Sequence, residues 1–477
     1  MCDEQLRGWV GVKGRLARTQ DLASADKMNR RLPIAAAATL LAAFALTTAS
    51  ATAATGLAGA HGFAPHRVMV KLAGAAGPRT LRLPPGVGVR AAVTALRSSP
   101  AVAYAAPDYI ATASATKSAD AGDLPNDPGT LGVLAGPPGG WVEKQWNFLP
   151  WQGPALPLLP VSPGGIDAVG AWENLAKEGH PGAVGITVAV LDTGIAYRSK
   201  RPKFVRSPDF GKGQFVPGYD FVENDRLPLD ENGHGTHVAG TIAEKTNNGI
   251  GLTGLAYRAK LMPVRVLDEH ARGRADQIAR GIRFAVANQA DVINMSFNFA
   301  CGRQVPAVEE ALRIAYRHGV VAVASVGNLG SEGCVAQPAT APHVIGVGGT
   351  TEGGCLGAYS LSGTAVDVVA PGGGGPTLGC PSISSGPIYQ VTLRNHSTRR
   401  FGEPSNYEGT SMAAAHVSGV AAMILASGTL GPRVGRGKAR VDAVTHRLRS
   451  TARDLGQPET RQGAGLIDAA GATTPGP

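Results

Sequence analysis

The sequence predicts an α/β fold: a three-layer αβα architecture with a mostly parallel central sheet, preceded by a small α+β unit. Three observations carry this. From Gly185 onward, near-continuous apolar runs (GITVAVLD, AKLMPVRVLD, ADVINMSF, GVVAVASVGN, HVIGVGGT and AVDVVAP) alternate with helical stretches, and strands apolar on both faces belong to sheets covered by helices on both sides. The intervening helices are amphipathic: in ADQIARGIRFAVANQ, the residues Ile278, Ile282, Ala285 and Val286 recur at helical spacing. A chain of 477 residues also exceeds single-core size, so more than one folding unit is expected. Sixty-five glycines, 34 prolines and only 17% charged residues fit many turns on an Ala/Val-rich core. They exclude a coiled coil and, lacking a period of three, collagen, while 43% hydrophobic content excludes global disorder.

The first segment is read as an export signal. Residues 32–48, LPIAAAATLLAAFALTT, follow Asn29-Arg30-Arg31 and precede small residues at Ala49-Ser50-Ala51 and Ala53-Ala54. A basic n-region, an apolar stretch and an A-x-A exit mark a secretory signal peptide. The alternative, a membrane anchor, needs about 20 apolar residues, and this run is slightly short. Residues 1–53 are assigned to a leader and signal peptide. The mixed-charge stretch before Met28 fits no n-region, whereas Met28 opens a well-formed one and is the expected true start. The product is expected to be secreted, extracellular or periplasmic, without a membrane anchor.

Residues 62–120 read as a separate unit. HRVMVKL is a strand, VRAAVTALRS a short amphipathic helix, AVAYAAPDYI a second strand, and TASATKSADAGDLPNDPG a polar linker. So short a unit buries little surface and needs a partner surface. A propeptide docked on the domain that follows, 121–477, fits this; a separate binding module is the alternative.

Charge follows the same division. The net charge of +10 by itself suggests a nucleic-acid or membrane-surface partner. However, residues 1–120 hold 14 Lys/Arg against 6 Asp/Glu (+8), and residues 121–477 hold 31 against 29 (+2). Most of the basicity belongs to segments expected to be removed, so no nucleic-acid partner is expected.

The chemistry-bearing residues stand just after the apolar runs, where α/β sheets gather their active sites. Asp192 ends TVAVLD, His234 opens a helix in NGHGTHVAGTIA, and Ser411 stands at the start of another in EGTSMAAAHVSGVAAMI. Nucleophilic acyl transfer needs a hydroxyl to attack, an imidazole to take its proton and a carboxylate to fix the imidazolium. A serine at a helix N-terminus also gains free backbone N–H groups facing a developing oxyanion. Singly, a D-T-G is often a turn and a G-T-S an N-cap. In the order Asp, His, Ser, the motifs DTG (192–194), HGTHVAGT (234–241) and GTSMAAAHVSG (409–419) resemble those of the subtilisin-like serine proteases.

That resemblance, over roughly residues 125–470, implies a subtilisin-like fold. It also implies a secreted endopeptidase hydrolysing peptide bonds through an acyl-enzyme, with Asp192, His234 and Ser411 as the triad. It places Asn328, in SVGNLG, as the oxyanion donor. Ser296, Phe297 and Asn298, with Ser325, Val326 and Gly327, fall in the segments that bind an extended peptide and shape the P1 pocket. The family usually has Gly where Asn298 stands and often Leu where Phe297 stands. Ala415 replaces a common Pro near the start of the nucleophile helix, where Ala is an excellent helix former. His237 and His416 are read as structural.

By the same resemblance, 62–120 is an inhibitory propeptide whose C-terminal tail lies in the active site and is cut autocatalytically within 112–124. The loop KTNNGIGLTG resembles the calcium loop of thermitase-like subtilases. It implies a structural Ca²⁺ held by Asn248, the carbonyls of Lys245, Ile250 and Leu252, and the carboxylates of Asp127 and Asp209. An insertion at 129–165 and the long basic stretch Tyr197–Val205 stand beside this ligand set, and either would be able to displace a ligand. The stretch 371–408 reads as a mobile surface loop near the cleft. Aside from Cys2, four cysteines remain, which allow three pairings; Cys301–Cys334 and Cys355–Cys380 close the shorter loops and are expected. A monomer acting on protein or peptide substrates is the leading reading. An inactive subtilase-fold peptide binder and an esterase are the alternatives.

Overall fold

The computed structural model describes residues 63–75, 79–109, 125–129, 139–152, 159–300, 302, 304–330, 334–380, 382, 384–431 and 434–475. The signal segment, Met28, the expected propeptide cut at 112–124 and Cys301 lie outside the described residues. The chain divides into two units, Met1–Thr116 and Lys117–Pro477.

In the first unit, β1 (Phe63–Leu72) pairs antiparallel with both β2 (Arg79–Arg82) and β3 (Val102–Tyr109), in the order β2-β1-β3. Helix α1 (Val89–Arg97) turns Val89, Ala92, Val93 and Leu96 inward onto Val68, Val70 and Ala105. These residues recur every three or four positions, the stripe an amphipathic helix needs. The strand RTLR was not foreseen, because two arginines in four residues do not read as a strand.

The second unit holds a seven-stranded sheet. In sequence order its strands are β4 (Thr187–Asp192), β5 (Tyr219–Asp220), β6 (Lys260–Arg265), β7 (Val292–Met295), β8 (Val321–Ser325), β9 (Val344–Thr350) and β10 (Val368–Pro371). They run β10-β9-β8-β7-β4-β6-β5, with every neighbouring pair parallel. All six predicted apolar runs are strands of this sheet, and every residue of β7, β8, β9 and β10 is buried. Helices precede, separate and follow the strands: α2 (Trp141–Lys144), α3 (Ala168–Lys177), α4 (His234–Ala243), α5 (Ala275–Ala287), α6 (Pro306–Arg317), α7 (Thr410–Ala426) and α8 (Lys438–Thr451). One layer pairs α4 with α7, and the other pairs α5 with α6. Helix α7 is buried all round, from Thr410 to Ala426 save Ser411 and Leu425. Its even apolarity is what a helix surrounded by protein requires. Ala415 sits fully buried within it, and the helix is continuous there.

Two expectations need correction. In α5, Ile278, Ile282 and Ala285 are buried but Val286 is only half-buried, displaced from the centre of the stripe. The stretch 371–408 is not simply a mobile surface loop. Ile388, Gln390, Val391, Thr392 and Leu393 are buried, and β11 (Thr392–Leu393) pairs with β12 (Phe401–Gly402) in a hairpin. Glycine richness at its start concealed the apolar IYQVTL segment within it. The Cys355–Cys380 disulfide ties the start of this stretch to the residues after β9, with Cα atoms 6.1 Å apart. Cys334 is also disulfide-bonded.

Candidate active site

Asp192 is the last residue of β4 and is fully buried. Its Oδ1 accepts the Thr193 N–H at 2.7 Å and lies 2.8 Å from His234 Nδ1. With the carboxylate ionised, Nδ1 carries the proton and Nε2 is free to act as a base. Burial by itself lowers the His234 pKa, but the charge and hydrogen bond of Asp192, with the charge of Asp230, raise it above its usual value.

The turn that delivers His234 is organised by Asp230, a residue the sequence reading passed over. Its buried carboxylate accepts from Thr193 Oγ1, the N–H groups of Asn232, Gly233 and Thr236, and Thr236 Oγ1, all between 2.6 and 3.0 Å. Thr193 Oγ1 in turn accepts the Gly235 N–H at 3.0 Å. The end of β4 and the start of α4 are thus joined twice, through Asp192–His234 and through Thr193–Asp230. An Asp two residues before N-G-H at a helix entrance (D-E-N-G-H, 230–234) is the sequence signal for such a cap.

Ser411 is the second residue of α7, so its N–H has no partner within the helix. Its Oγ donates to the Ser296 carbonyl at 3.1 Å, and Ser296 Oγ donates back to the Ser411 carbonyl at 2.9 Å. Asn294 braces Ser296 through Nδ2 (2.9 Å) and accepts from Ser418 at Oδ1 (2.9 Å). The structure fixes the start of α7 against the end of β7 in this way. Among the described residues Ser411 makes no hydrogen bond to His234, a contact that commonly tightens only with substrate.

Asn328 follows β8 and meets α7 from the other side. Its Oδ1 accepts both the Thr410 N–H and Thr410 Oγ1, each at 2.8 Å. With its oxygen held, Nδ2 is left towards Gly409. A Cβ on Gly409 would come within 2.8 Å of Nδ2, and the φ of +139° there also favours glycine. The Asn328 amide and the Ser411 N–H therefore stand at one helix start.

A family model described as the subtilase family, Peptidase_S8, matches residues 183–465, more than half of the chain. The chain belongs to the subtilase family. This subtilase is 33% identical over 340 residues to the thermophilic serine proteinase of Bacillus sp. strain AK1, covering 71% of this chain and 67% of that one. It is 34% identical over 263 residues to thermitase of Thermoactinomyces vulgaris, covering 55% and 81%. Among solved structures, one of proteases from Pseudoalteromonas arctica aligns with a TM-score of 0.56 and 30% identity, covering 73% of this chain and 98% of that one. The chain is a subtilisin-like serine endopeptidase.

The two expected substrate segments of the subtilase differ in what they offer. Ser325 O, Val326 N and both backbone groups of Gly327 are already hydrogen-bonded within the protein. Phe297 and Asn298 carry no backbone hydrogen bond among the described residues. Asn298, where the family usually has glycine, reaches across to the other segment. Its Nδ2 donates to Ser325 O at 2.6 Å, and Ser325 Oγ donates to its Oδ1 at 3.3 Å.

His237 and His416 are fully buried and engaged internally. His237 Nε2 meets Ile388 O at 2.9 Å and its ring stacks on Tyr407 at 4.0 Å. His416 spans Met412 O and the Asn147 amide at 2.8 and 2.7 Å. Burial lowers their pKa values to about 3 and about 4, so both are neutral.

The expected calcium residues converge as well. Despite the intervening insertion, Asp127 receives the N–H groups of Asn247 and Asn248 at 3.0 and 3.1 Å. Asp209 receives Asn248 Nδ2 at 2.8 Å and Leu252 N at 2.9 Å. A Cβ on Gly251, at φ +63°, would run into Asp209 Oδ2. Among the described residues nothing donates to the carbonyls of Lys245, Ile250 or Leu252. Burial raises the Asp127 pKa to about 6 and lifts Asp209 well above the carboxylate range. Buried carboxylates beside unpartnered carbonyls are a donor set suited to a hard cation.

Proposed function

We propose that this subtilase is a secreted endopeptidase, made as an autoprocessed zymogen, that cleaves proteins through an acyl-enzyme formed on Ser411. His234 Nε2 takes the Ser411 proton as Oγ attacks the scissile carbonyl, and later gives it to the leaving amine. Asp192 holds the imidazole tautomer and offsets the charge of the imidazolium. Asn328 Nδ2 and the Ser411 N–H receive the oxyanion. A water molecule, deprotonated by the same imidazole, then releases the acyl group. The observation that carries this reading is the 2.8 Å Asp192–His234 pair, in a chain whose helix α7 has Ser411 as its second residue.

Residues 62–120 act as the inhibitory propeptide in this reading, and the apolar run at 32–48 directs export. No helix among the described residues is long and apolar enough to cross a membrane. The loop 245–252, through Asn248 and the carbonyls of Lys245, Ile250 and Leu252, would hold Ca²⁺ with Asp127 and Asp209. The ion supplies positive charge to buried carboxylates and stiffens the loop.

Expression of residues 28–477 beside Ser411→Ala tests the reading. The wild type should release 28–120 and digest casein, and the variant should do neither, its residual rate about 10⁶-fold lower. A wild type that neither matures nor cleaves casein would overturn it in favour of an inactive peptide binder.

A further inference from the structure

Two segments that the chemistry does not use meet beside His234. The β11–β12 hairpin reaches the turn that precedes it: Thr392 Oγ1 donates to the Gly233 carbonyl, and His396 Nδ1 lies 3.1 Å from Asn232 O. Asn232 Oδ1 in turn accepts the His234 N–H at 3.1 Å. The tip of the hairpin is stitched to the basic stretch after Tyr197. Val205 N donates to Thr398 O at 3.0 Å, and Thr398 Oγ1 donates to Lys203 O.

These two segments are one-signed. Residues 198–206 (RSKRPKFVR) and 393–402 (LRNHSTRRFG) contain Arg198, Lys200, Arg201, Lys203, Arg206, Arg394, Arg399 and Arg400, and no Asp or Glu. All eight but half-buried Arg206 are exposed. Among the described residues only Lys203 is ion-paired, to Glu231. The acidic groups Asp220, Glu223, Asp225 and Glu231 share a cavity with Lys200, Arg201 and Lys203, whereas no acidic residue is ion-paired to Arg394, Arg399 or Arg400 among the described residues. A second cavity of about 830 Å³ opens between Asn232, Arg394, His396 and Tyr407. Its acidic lining residue, Glu403, is 3.7 Å from Lys144.

The imidazole protonates the departing amine, so the polypeptide attached to that amine leaves over the surface flanking His234. We infer that this cationic rim selects substrates that are acidic on the leaving-amine side of the scissile bond. The inference rests on the endopeptidase reading above. A cleft lined by one sign of charge concentrates and orients the opposite sign, and unpaired exposed arginines are free to do so without breaking an existing pair.

Internally quenched peptides sharing one acyl half, with leaving halves rich in Asp/Glu, uncharged, or rich in Lys/Arg, test it on the matured enzyme. At low ionic strength kcat/KM should be about tenfold higher for the acidic than for the basic leaving half. The ratio should shrink to about twofold near 0.5 M salt, as exposed charges are screened. In the triple variant Arg394→Glu/Arg399→Glu/Arg400→Glu the ratio should invert; being a ratio within one preparation, it does not depend on how much variant folds. Equal cleavage of all three wild-type substrates would overturn the inference while leaving the endopeptidase reading intact. So would a ratio unchanged in the triple variant. If no peptide is cleaved, the underlying reading fails instead. A wild-type preference abolished by equimolar single-stranded DNA, with the DNA bound tightly to the wild type but not to the triple variant, would show the rim to be a nucleic-acid site and would also overturn it.

Discussion

Thr410 offers a test of how Asn328 is held. Its hydroxyl is fully buried, donates to Asn328 Oδ1 at 2.8 Å and accepts the Gly327 N–H at 3.1 Å. The substitution Thr410→Val keeps the shape, removes both bonds and leaves the Thr410 N–H as the one remaining donor to Asn328. Losing a neutral hydrogen bond and orphaning a buried N–H together cost about 2–3 kcal/mol of stability. In catalysis, an oxyanion side-chain donor contributes about 10²–10³ in kcat. With one of its two restraints left, Asn328 should keep part of this, so kcat falls about tenfold with KM little changed. In an Asn328→Ala background the same substitution has no amide to misplace, and its effect on kcat should vanish. The coupling is then about 1.4 kcal/mol. Steady-state hydrolysis of a peptide anilide, with active sites counted by an acylating titrant, measures all four proteins. If Thr410→Val lowers kcat by the same factor with and without the Asn328 amide, the reasoning is wrong.

The raised His234 pKa places the alkaline rise of kcat/KM at a midpoint above 6.5, because only the neutral imidazole accepts the serine proton. Asp192→Asn removes the main charge raising it and leaves burial, so the midpoint should move below 6.5 and kcat fall about 10⁴-fold; an unmoved midpoint counts against the pairing. Chelation should expose the pH dependence of the buried carboxylates. Asp127, with its folded pKa raised to about 6, favours the folded state below pH 4 and loses that contribution as pH rises through 6. By calorimetry, the gap in Tm between calcium-loaded and chelated protein should therefore widen from pH 5 to pH 7.5; identical Tm values at pH 7.5 would remove the calcium assignment. Cys355→Ser/Cys380→Ser opens a cross-link over 25 residues and should cost roughly 3 kcal/mol of unfolding free energy, read by denaturant titration. Because the bridge lies apart from the Asp192–His234 pair, kcat should stay within about twofold.

The sheet was legible because its strands are buried on both faces, which forces apolar residues at consecutive positions. The elements that escaped notice lack that constraint. β5 is a two-residue edge, and β11–β12 sits behind glycines that suggested a loop. Likewise, Asp192, His234 and Ser411 were legible because their flanks have to form a strand end and two helix starts, and each leaves a local pattern. Asp230 was missed because it works by accepting hydrogen bonds from backbone and threonine groups, a role that many residues before a helix share. Asn298 stood out as a departure from glycine, but its reach to Ser325 depends on the spacing of β7 and β8 and is not written in either segment. The same holds for the basic rim: the charges of 198–206 and 393–402 were visible singly, nearly two hundred residues apart. Only the fold brings them together.

Four fully buried aspartates, Asp127, Asp192, Asp209 and Asp230, show how neighbours decide what burial alone leaves open. Removing a carboxylate from water penalises its charge in every case. Asp230 is surrounded by five donors, enough to define a turn. Asp192 has one backbone donor and an imidazole, and its Oδ2 has no partner. Its compensation must come from His234, and becomes strongest when that ring is charged in the transition state. Asp127 and Asp209 have amide donors but no ion-paired cation among the described residues; beyond the effect of burial, the charge of Asp127 raises Asp209, and both raise Glu244. In the proposed reading an external cation supplies their balance. On that proposed reading one residue type therefore serves as a scaffold, as an electrostatic partner for catalysis and as a metal ligand, according to whether its counter-charge is partial, transient or brought from outside.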